Sequence, residues 1–333
     1  MKNFEYAAPR TEAGVLELLA EKPDRTEILA GGTDLVGLMK KMIVTPDRVV
    51  NIMDVPSLKS IEPTPEGGVS IGAAVTLDDV LASRYLSDYP AVTQAIIGIN
   101  SMTLQAQGTL GGELCQRPRC WFYRNGGDLF GHSPNGGHAV EAGDNTFHAI
   151  FGNSGPAKFV SSSRIAPALI VHGAMVRIVG PESDDERFVA VEDFFRTPRH
   201  EGQRENVLEP GQLLTHIVLP PAAGVSSATY EVRHGEGPDY PLASASAALS
   251  FNGSAVREAR IVLGQVAPTP WIAQEAAMSL IGLPIDATIA EMAGERATER
   301  ATPLSRNGYK VQLAKVAVKR ALLLAAGLET GGF

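Results

Sequence analysis

A strand, a glycine turn, a helix and a second strand follow one another in the first 55 residues. Thr26-Glu27-Ile28-Leu29 is short and ends in apolar residues, residues 30–34 read Ala-Gly-Gly-Thr-Asp, and residues 35–42 have helical spacing. Arg48-Val49-Val50-Asn51-Ile52 then predicts a strand that returns beside the first. This succession indicates a small βαβ-type unit, and a short helix capped by Thr11 precedes it.

The rest of the chain predicts two further units. A strand at 69–71, a Thr76-capped helix and a helix at 91–97 open a second lobe. Residues 98–156 lose periodicity, which in a compact domain is typical of a functional segment. A helix at 165–169 and strands at 175–179 and 188–190 complete this lobe. After Pro220-Pro221, strands at 228–233, 242–251 and 259–263 precede helices at 271–281, 286–300 and 309–326.

The predicted fold class is therefore α+β. Its parts are lobe 1 at residues 1–55, lobe 2 at 56–222 with a long Gly-rich loop, and a C-terminal domain at 223–333 built from an antiparallel sheet and helices.

Composition excludes several classes of protein. The chain has 44% hydrophobic and 20% charged residues, as ordinary globular proteins do. Its net charge of −8 disfavours nucleic acid as a partner. No run of about 18 apolar residues occurs, and the N-terminus lacks the apolar stretch of a secretory signal, so we expect no membrane insertion. Only Cys115 and Cys120 are present, which excludes a disulfide framework and favours the reducing cytoplasm.

The first glycine turn, Ala30-Gly31-Gly32-Thr33-Asp34, is a candidate anion site. Glycines let backbone amides approach a phosphate, and the helix that follows adds its positive end. The turn has neither the Lys of a Walker loop nor the third glycine of the dinucleotide fingerprint. An ordinary βα turn with Asp34 as a helix cap is the alternative interpretation.

A second glycine turn, Gly108-Thr109-Leu110-Gly111-Gly112-Glu113, stands at the start of the irregular stretch. Two separate turns can hold one pyrophosphate from both sides. Together they resemble the pyrophosphate loops of the FAD-binding subunits of molybdenum hydroxylases, the xanthine dehydrogenase and carbon monoxide dehydrogenase family. Residues 115–124, 143–145, 147–152, 263–271 and 307–322 are similar to the aldehyde oxidoreductase branch of that family.

The resemblance implies a PCMH-type FAD-binding fold, with FAD between the two lobes and the C-terminal domain helping to cover it. It implies an electron-transfer subunit that passes electrons from partner iron-sulfur clusters to an external acceptor, beside a large molybdopterin subunit and a small 2Fe-2S subunit. No catalytic side chain is expected, because the flavin supplies the redox chemistry. Export to the periplasm would require a signal-bearing partner. The implied FAD contacts are Leu29, Ala30, Gly31, Gly32, Thr33, Asp34, Leu35, Thr103, Thr109, Leu110, Gly111 and Gly112.

Two departures from the family pattern bear on the flavin. Glu113 replaces a common Asn and predicts a carboxylate near the pyrophosphate. Arg164 replaces an acid that faces the flavin in relatives. Its side chain would pair with Glu113 or a phosphate, or point to solvent. These changes leave a flavin-less assembly scaffold as an alternative function, and a free-standing flavin oxidoreductase of the same fold is a third.

A third departure concerns metal. The related branch holds a four-iron cluster with four cysteines in this loop, but here only Cys115 and Cys120 remain, and Lys158 stands where another cysteine is expected. The downstream positions read Gly131-His132-Ser133 and Gly136-Gly137-His138. We therefore expect no iron-sulfur cluster and no metal, and interpret His132 and His138 as loop histidines rather than zinc ligands.

Three further features have structural interpretations. Trp121-Phe122-Tyr123 is expected to anchor a loop rather than to stack on a flavin. His148 is expected to be a hydrogen-bonded structural residue. Lys310, Lys315, Lys319 and Arg320 predict a solvated basic helix face.

Overall fold

The computed structural model describes residues 1–132, 137–182, 184–235 and 237–330. Its elements form three groups around three sheets, which confirms the α+β class. Ser133 and Gly136, two of the positions noted downstream of the cysteines, lie outside the described residues.

The first sheet has three parallel strands in the order β1-β3-β2. Thr11 caps α1 by accepting a hydrogen bond from the amide of Gly14, as its position before the apolar run predicts. The predicted βαβ unit is confirmed, while β1 was not predicted. The elements are β1 (Glu5–Ala7), α1 (Glu12–Glu21), β2 (Thr26–Leu29), α2 (Leu35–Lys40) and β3 (Arg48–Asn51).

The second sheet has five antiparallel strands in the order β4-β5-β8-β6-β7. β4 lies within residues 56–68, which the sequence predicted as a turn-rich joint, and β8 was also missed. Outside residues 133–136, which are not described, the stretch 98–156 contains four short helices rather than irregular chain throughout. The strands are β4 (Ile61–Pro63), β5 (Val69–Gly72), β6 (Met175–Val179), β7 (Glu186–Ala190) and β8 (Leu213–Leu219). The helices are α3 (Leu77–Ala82), α4 (Pro90–Ile97), α5 (Met102–Gln107), α6 (Leu110–Leu114), α7 (Trp121–Arg124), α8 (Ala139–Ala142), α9 (Ala166–Val171) and α10 (Val191–Phe194), with 3-10 turns at Pro56–Lys59 and Arg84–Leu86.

The third sheet is antiparallel in the order β12-β11-β10-β9. The helix expected over 271–281 is wrong at its start, because Trp271 and Ile272 pair with Leu263 and Val262 as strand β12. The elements are β9 (Ser226–Val232), β10 (Ala243–Asn252), β11 (Ala255–Gly264), β12 (Trp271–Ile272), α11 (Gln274–Met278), α12 (Ala287–Thr298) and α13 (Tyr309–Ala325).

Small side chains allow α13 to pack directly on this third sheet. Ala314, Ala317 and Ala321 are fully buried on the helix, and Ala245 and Ala247 are fully buried on β10. They share one apolar core. Alanines at the contact permit a close approach of helix and sheet while still removing apolar area from water.

Lys310, at the start of α13, is buried rather than part of a solvated face. Its Nζ donates to the carbonyl oxygens of Gln265 at 2.7 Å and of Phe147 and His148 at 3.2 Å. Burial lowers the pKa of this ammonium to about 7. Lys310 thus ties the irregular stretch to the third sheet. Lys319, by contrast, pairs with Glu291 at the surface, 2.8 Å away.

His172 connects the second and third groups. It follows α9, its Nε2 lies 3.0 Å from the Ser227 hydroxyl on β9, and its ring meets Tyr89 edge-on at 5.1 Å. Burial lowers the pKa of His172 to about 4. Among the described residues, no helix is long and apolar enough to cross a bilayer.

Acid is expected to destabilise this junction. The unfolded imidazole takes a proton below a pKa of about 6.5, whereas the folded one resists until about pH 4. The free energy of unfolding therefore falls by about 3 kcal/mol between these pH values because of His172. In His172→Gln, the free energy of unfolding should fall by about 3 kcal/mol less than in wild type over this pH range, as measured by urea titrations at pH 7, 5.5 and 4. His234→Gln, on an exposed loop, is the control, and equal slopes for wild type and His172→Gln would contradict the assignment.

Candidate flavin site

One cavity of about 720 Å³ lies between the first and second groups of elements. Its walls come from the first glycine turn, the second glycine turn and the segment that precedes β8. A volume of this order suits a bound small molecule or cofactor. The predicted site residues that line it are Ala30, Gly31, Gly32, Thr33, Asp34, Leu35, Thr109, Gly111 and Gly112.

The structure does not bring every predicted residue to this cavity. Leu29 ends β2 and Leu110 is fully buried in the core of the second group, and neither lines the cavity. Thr103 lies on the exposed surface of α5. The residues that line this cavity end at Leu214, and that the C-terminal domain helps to cover the flavin stays a prediction.

The two glycine turns meet through backbone contact. A Cβ atom at Gly31 would lie 1.5 Å from the carbonyl oxygen of Gln107, the residue just before the second turn. Gly111 faces Ala73 in the same way, since a Cβ there would lie 2.6 Å from the Ala73 Cβ. Cβ atoms cannot occupy such positions, so glycine is required at Gly31 for the two turns to meet and at Gly111 for the second turn to pack on Ala73.

The second turn is held by hydrogen bonds to residues 73–77. The amide of Leu110 donates to the carbonyl of Val75 at 3.0 Å, and the amide of Gly111 donates to that of Ala73 at 2.9 Å. The Thr109 hydroxyl accepts from the amide of Gly112 at 3.1 Å. The amides of Leu110, Gly111 and Gly112 in the second turn are therefore already used, whereas the amide of Thr109 donates to no acceptor in the described part of the chain.

The first turn differs in its hydrogen bonding. Within the described part of the chain, the amides of Gly31, Gly32, Thr33 and Asp34 donate to no protein acceptor. Gly31, Gly32 and Asp34 are half-buried, where amides normally have partners, whereas Thr33 is exposed. Because these amides lie in the cavity lining, they form a set of donors suited to an anion.

The negative charge of Asp34 is compensated by neighbouring groups, so it does not repel such an anion. Its carboxylate accepts from the amide of Arg117 at 2.9 Å and pairs with Arg124 at 2.7 Å and Arg119 at 3.2 Å. The interpretation of Asp34 as a cap of α2 is not supported, since it makes no side-chain capping bond. Its role is to bind the loop between α6 and α7 to the first turn, with its charge compensated.

Glu113 does not face the cavity. It is buried, and its carboxylate accepts from the Ser163 hydroxyl and the Ile165 amide, both at 3.3 Å, and from the Arg164 amide. Burial raises the pKa of Glu113 to about 7. The expectation of a carboxylate beside the pyrophosphate is wrong, because the side chain satisfies amides at the start of α9 instead.

Arg164 is likewise neither solvated nor directed at the cavity. Its guanidinium is 3% exposed and donates from Nε to Glu231 on β9 at 2.9 Å. It also donates to the carbonyl of Gly98. Arg164 contacts Glu113 only through its backbone amide, so the side chain serves the junction with the third sheet.

The two cysteines are separate, mostly buried thiols. Burial raises the pKa of Cys115 to about 12, so the thiol is protonated at neutral pH. Cys120 Sγ lies 3.2 Å from Nε2 of His148, whose pKa burial lowers to about 4. Lys158 is buried and donates to the carbonyl of Asn153 at 2.7 Å. That this chain holds no iron-sulfur cluster stays a prediction.

The aromatic run packs within the protein. Trp121 meets Phe147 edge-on at 5.4 Å, and Tyr123 is buried in a cluster with Leu38, Leu129 and Phe130. None of residues 121–123 lines the cavity. The anchoring interpretation therefore fits the structure better than flavin stacking.

Sequence reasoning missed one wall of the cavity. Arg196, His200, Arg204 and Leu208 line it from the segment between α10 and β8, and Arg204 pairs with Glu27 on β2 at 2.7 Å. The available signal was a long connection without secondary structure of its own, which is often functional. The pairing with Glu27 depends on residues distant in sequence and has no local pattern.

Known proteins resemble this chain along its length. Residues 2–222 match the family described as the FAD binding domain in molybdopterin dehydrogenase, and residues 228–325 match the CO dehydrogenase flavoprotein C-terminal domain. The aldehyde oxidoreductase FAD-binding subunit PaoB of Escherichia coli is 31% identical over 95% of this chain and 96% of its own. The carbon monoxide dehydrogenase medium chain of Afipia carboxidovorans is 28% identical over 96% of both. Quinoline 2-oxidoreductase from Pseudomonas putida 86 superposes with a TM-score of 0.75 and 26% identity, over 98% of this chain and 99% of that one.

Substitutions in the buried ion pair of Arg164 and Glu231 test its contribution to the free energy of unfolding. Arg164→Met removes the close partner of the buried Glu231 carboxylate, with Arg233 Nε 4.0 Å away as the remaining cation, and should lower the free energy of unfolding by about 3 kcal/mol in urea titrations. Arg164→Met combined with Glu231→Leu should recover most of the loss, since no unpaired charge remains. Arg257→Met, in an exposed pair with Glu258, should change little. Additive losses in the double variant would contradict the pairing.

Proposed function

This chain belongs to the family of FAD-binding subunits of molybdopterin dehydrogenases, and from that premise we propose how it holds the cofactor. The diphosphate of FAD lies in the cavity between the two glycine turns, on the amides of Gly31, Gly32, Thr33 and Asp34. The observation that carries this assignment is that these donors line the cavity without a protein acceptor.

The groups around the turns suit that ligand. Asp34 is neutralised by Arg124 and Arg119, and Glu113 is turned out of the cavity, so no uncompensated carboxylate from either turn meets the diphosphate. The second turn supplies shape and at most the amide of Thr109, because Leu110, Gly111 and Gly112 already use their amides. The scaffold alternative rested on Glu113 and Arg164, and neither side chain touches the cavity.

FAD, when bound, supplies the electron-transfer chemistry, and the protein supplies binding and orientation. We propose that the chain works beside a large molybdopterin subunit and a small 2Fe-2S subunit and passes electrons to an external acceptor. Relatives named as medium chains of carbon monoxide dehydrogenases support this assembly. The division into residues 1–55, 56–222 and 223–333 is part of the proposal, and the gap between the two family matches supports its second boundary. Two free cysteines favour the cytoplasm.

Substitution of single glycines tests the cofactor site. Gly31→Ala and Gly111→Ala force the turns apart, so FAD retained by the purified protein should fall roughly tenfold or more, equivalent to about 1.4 kcal/mol of binding. The ratio of flavin absorbance to protein concentration measures the retained FAD. Gly37→Ala is the matched control, because a Cβ there meets no atom within 4 Å, and it should keep FAD. Circular dichroism separates loss of cofactor from loss of fold.

Unchanged flavin content in both cavity variants would contradict the two-turn site. Colourless wild-type protein, co-purified with its large and small partners, would favour the assembly scaffold. Substrate turnover by the chain alone would favour a free-standing flavin oxidoreductase.

A further inference from the structure

Glu113 places a buried carboxylate directly behind the cofactor cavity. It follows Gly112, which lines the cavity, and its own side chain points away from the cavity towards residues 163–165. A buried charge acts on an anion nearby even without contact, because its field passes through protein rather than through water. The charge state of Glu113 therefore bears on any anion held by the glycine turns.

Neutral donors surround the carboxylate of Glu113. One oxygen accepts from the Ser163 hydroxyl and the Ile165 amide, both at 3.3 Å, and from the backbone amide of Arg164. The other oxygen accepts from the side-chain amide of Gln116. These donors satisfy the oxygen lone pairs, but none of them carries a positive charge.

The guanidinium groups whose charges reach Glu113 belong to Arg164 and Arg119, and both pair with other carboxylates. Arg164 donates from Nε to Glu231 at 2.9 Å. Arg119 lies 3.2 Å from the carboxylate of Asp34. Within the described part of the chain, no side-chain cation forms an ion pair with Glu113.

Two further titratable groups belong to elements around Glu113. The Tyr240 hydroxyl donates to Gln116 at 2.5 Å, and burial raises the pKa of Tyr240 to about 12. On β8, which packs against α6, Nε2 of His216 lies 3.1 Å from the Ser57 carbonyl oxygen, and burial lowers the pKa of His216. Both groups are neutral at pH 7, so neither compensates the charge of Glu113.

Ser163 allows Glu113 to hold a proton. The Ser163 hydroxyl oxygen accepts from the amide of Ala166 at 3.1 Å and keeps a second lone pair. It can therefore accept from a carboxylic acid, just as its hydroxyl group donates to a carboxylate. Burial raises the pKa of Glu113 to about 7. Glu113 thus changes its charge near neutral pH while its hydrogen bond to Ser163 is kept.

We propose that Glu113 couples FAD binding to proton uptake, because a protonated Glu113 removes a negative charge from behind the diphosphate of FAD. This inference rests on the proposed function, since it requires the diphosphate between the two glycine turns. Coupling is reciprocal: bound FAD favours the protonated form of Glu113, and protonation of Glu113 favours bound FAD. The affinity for FAD therefore falls as the pH rises and Glu113 ionises.

FAD titrations of the full-length apoprotein between pH 6 and pH 9 test this coupling. Glu113→Gln keeps the shape of the side chain and is neutral throughout. The ratio of Kd at pH 9 to Kd at pH 6 should be at least about fivefold larger in wild type than in Glu113→Gln. Other cavity groups that titrate, such as His200, contribute equally to both proteins. Glu295→Gln, at an exposed position of α12, is the matched control and should give the wild-type ratio.

Proton uptake provides a second measurement. Calorimetric FAD titrations at pH 7.5, in buffers of different ionisation enthalpy, should show net proton uptake by wild type and less uptake by Glu113→Gln. FAD binding with the same pH dependence in both proteins would overturn the inference and leave the cofactor site standing. Wild-type protein that binds FAD without taking up a proton would overturn it whether or not the variant folds. Wild-type protein that binds no FAD at any pH would overturn the cofactor site and this inference together.

Discussion

The contact between Gly31 and the Gln107 carbonyl is the constraint on which the site depends. Because Gly31 has no side chain, the first glycine turn rests directly on the backbone that leads into the second. Residues 73–77 hold the second turn by backbone hydrogen bonds, so the five-stranded sheet fixes the position of both turns. The donors of the first turn are thereby presented to a cavity on whose opposite side the amides of Leu110, Gly111 and Gly112 are already bonded within the protein. The first turn therefore supplies most of the donors that recognise an anion, and the second turn supports the first.

Asp34, Glu113 and Arg164 connect parts of the fold to one another, and Glu113 and Arg164 do not line the cavity. Asp34 binds the loop before α7 through Arg117 and Arg119, and α7 itself through Arg124. Glu113 satisfies amides at the start of α9, and Arg164 crosses to Glu231 on β9. These contacts link the second turn to the C-terminal sheet without placing C-terminal residues in the cavity lining. Glu113 and Arg164, which depart from the family pattern for the flavin site, thus act at the junction between the second turn and the C-terminal sheet.

Local patterns predicted the elements that local contacts determine. The βαβ unit followed from glycine between a strand and a helix, and the Thr11 and Thr76 caps followed from position. The short strands β1, β4 and β12 form because distant residues offer paired edges, and three or fewer residues carry no recognisable period. The sequence predicts a solvated Lys310 because the three carbonyl groups that bind its ammonium lie 45 or more residues away in the chain. The directions of Glu113 and Arg164 were unpredictable for the same reason, since Glu231 is distant in sequence.

Hydrogen–deuterium exchange of the apoprotein with and without added FAD tests the central claim most directly. Amides 31–34 have no protein acceptor in the structure, so they should exchange rapidly without FAD and become protected when FAD binds. The amides of Leu110 and Gly111, already bonded to residues 73–75, should exchange slowly in both states. Protection confined to other segments, with amides 31–34 exchanging equally fast in both states, would contradict the account.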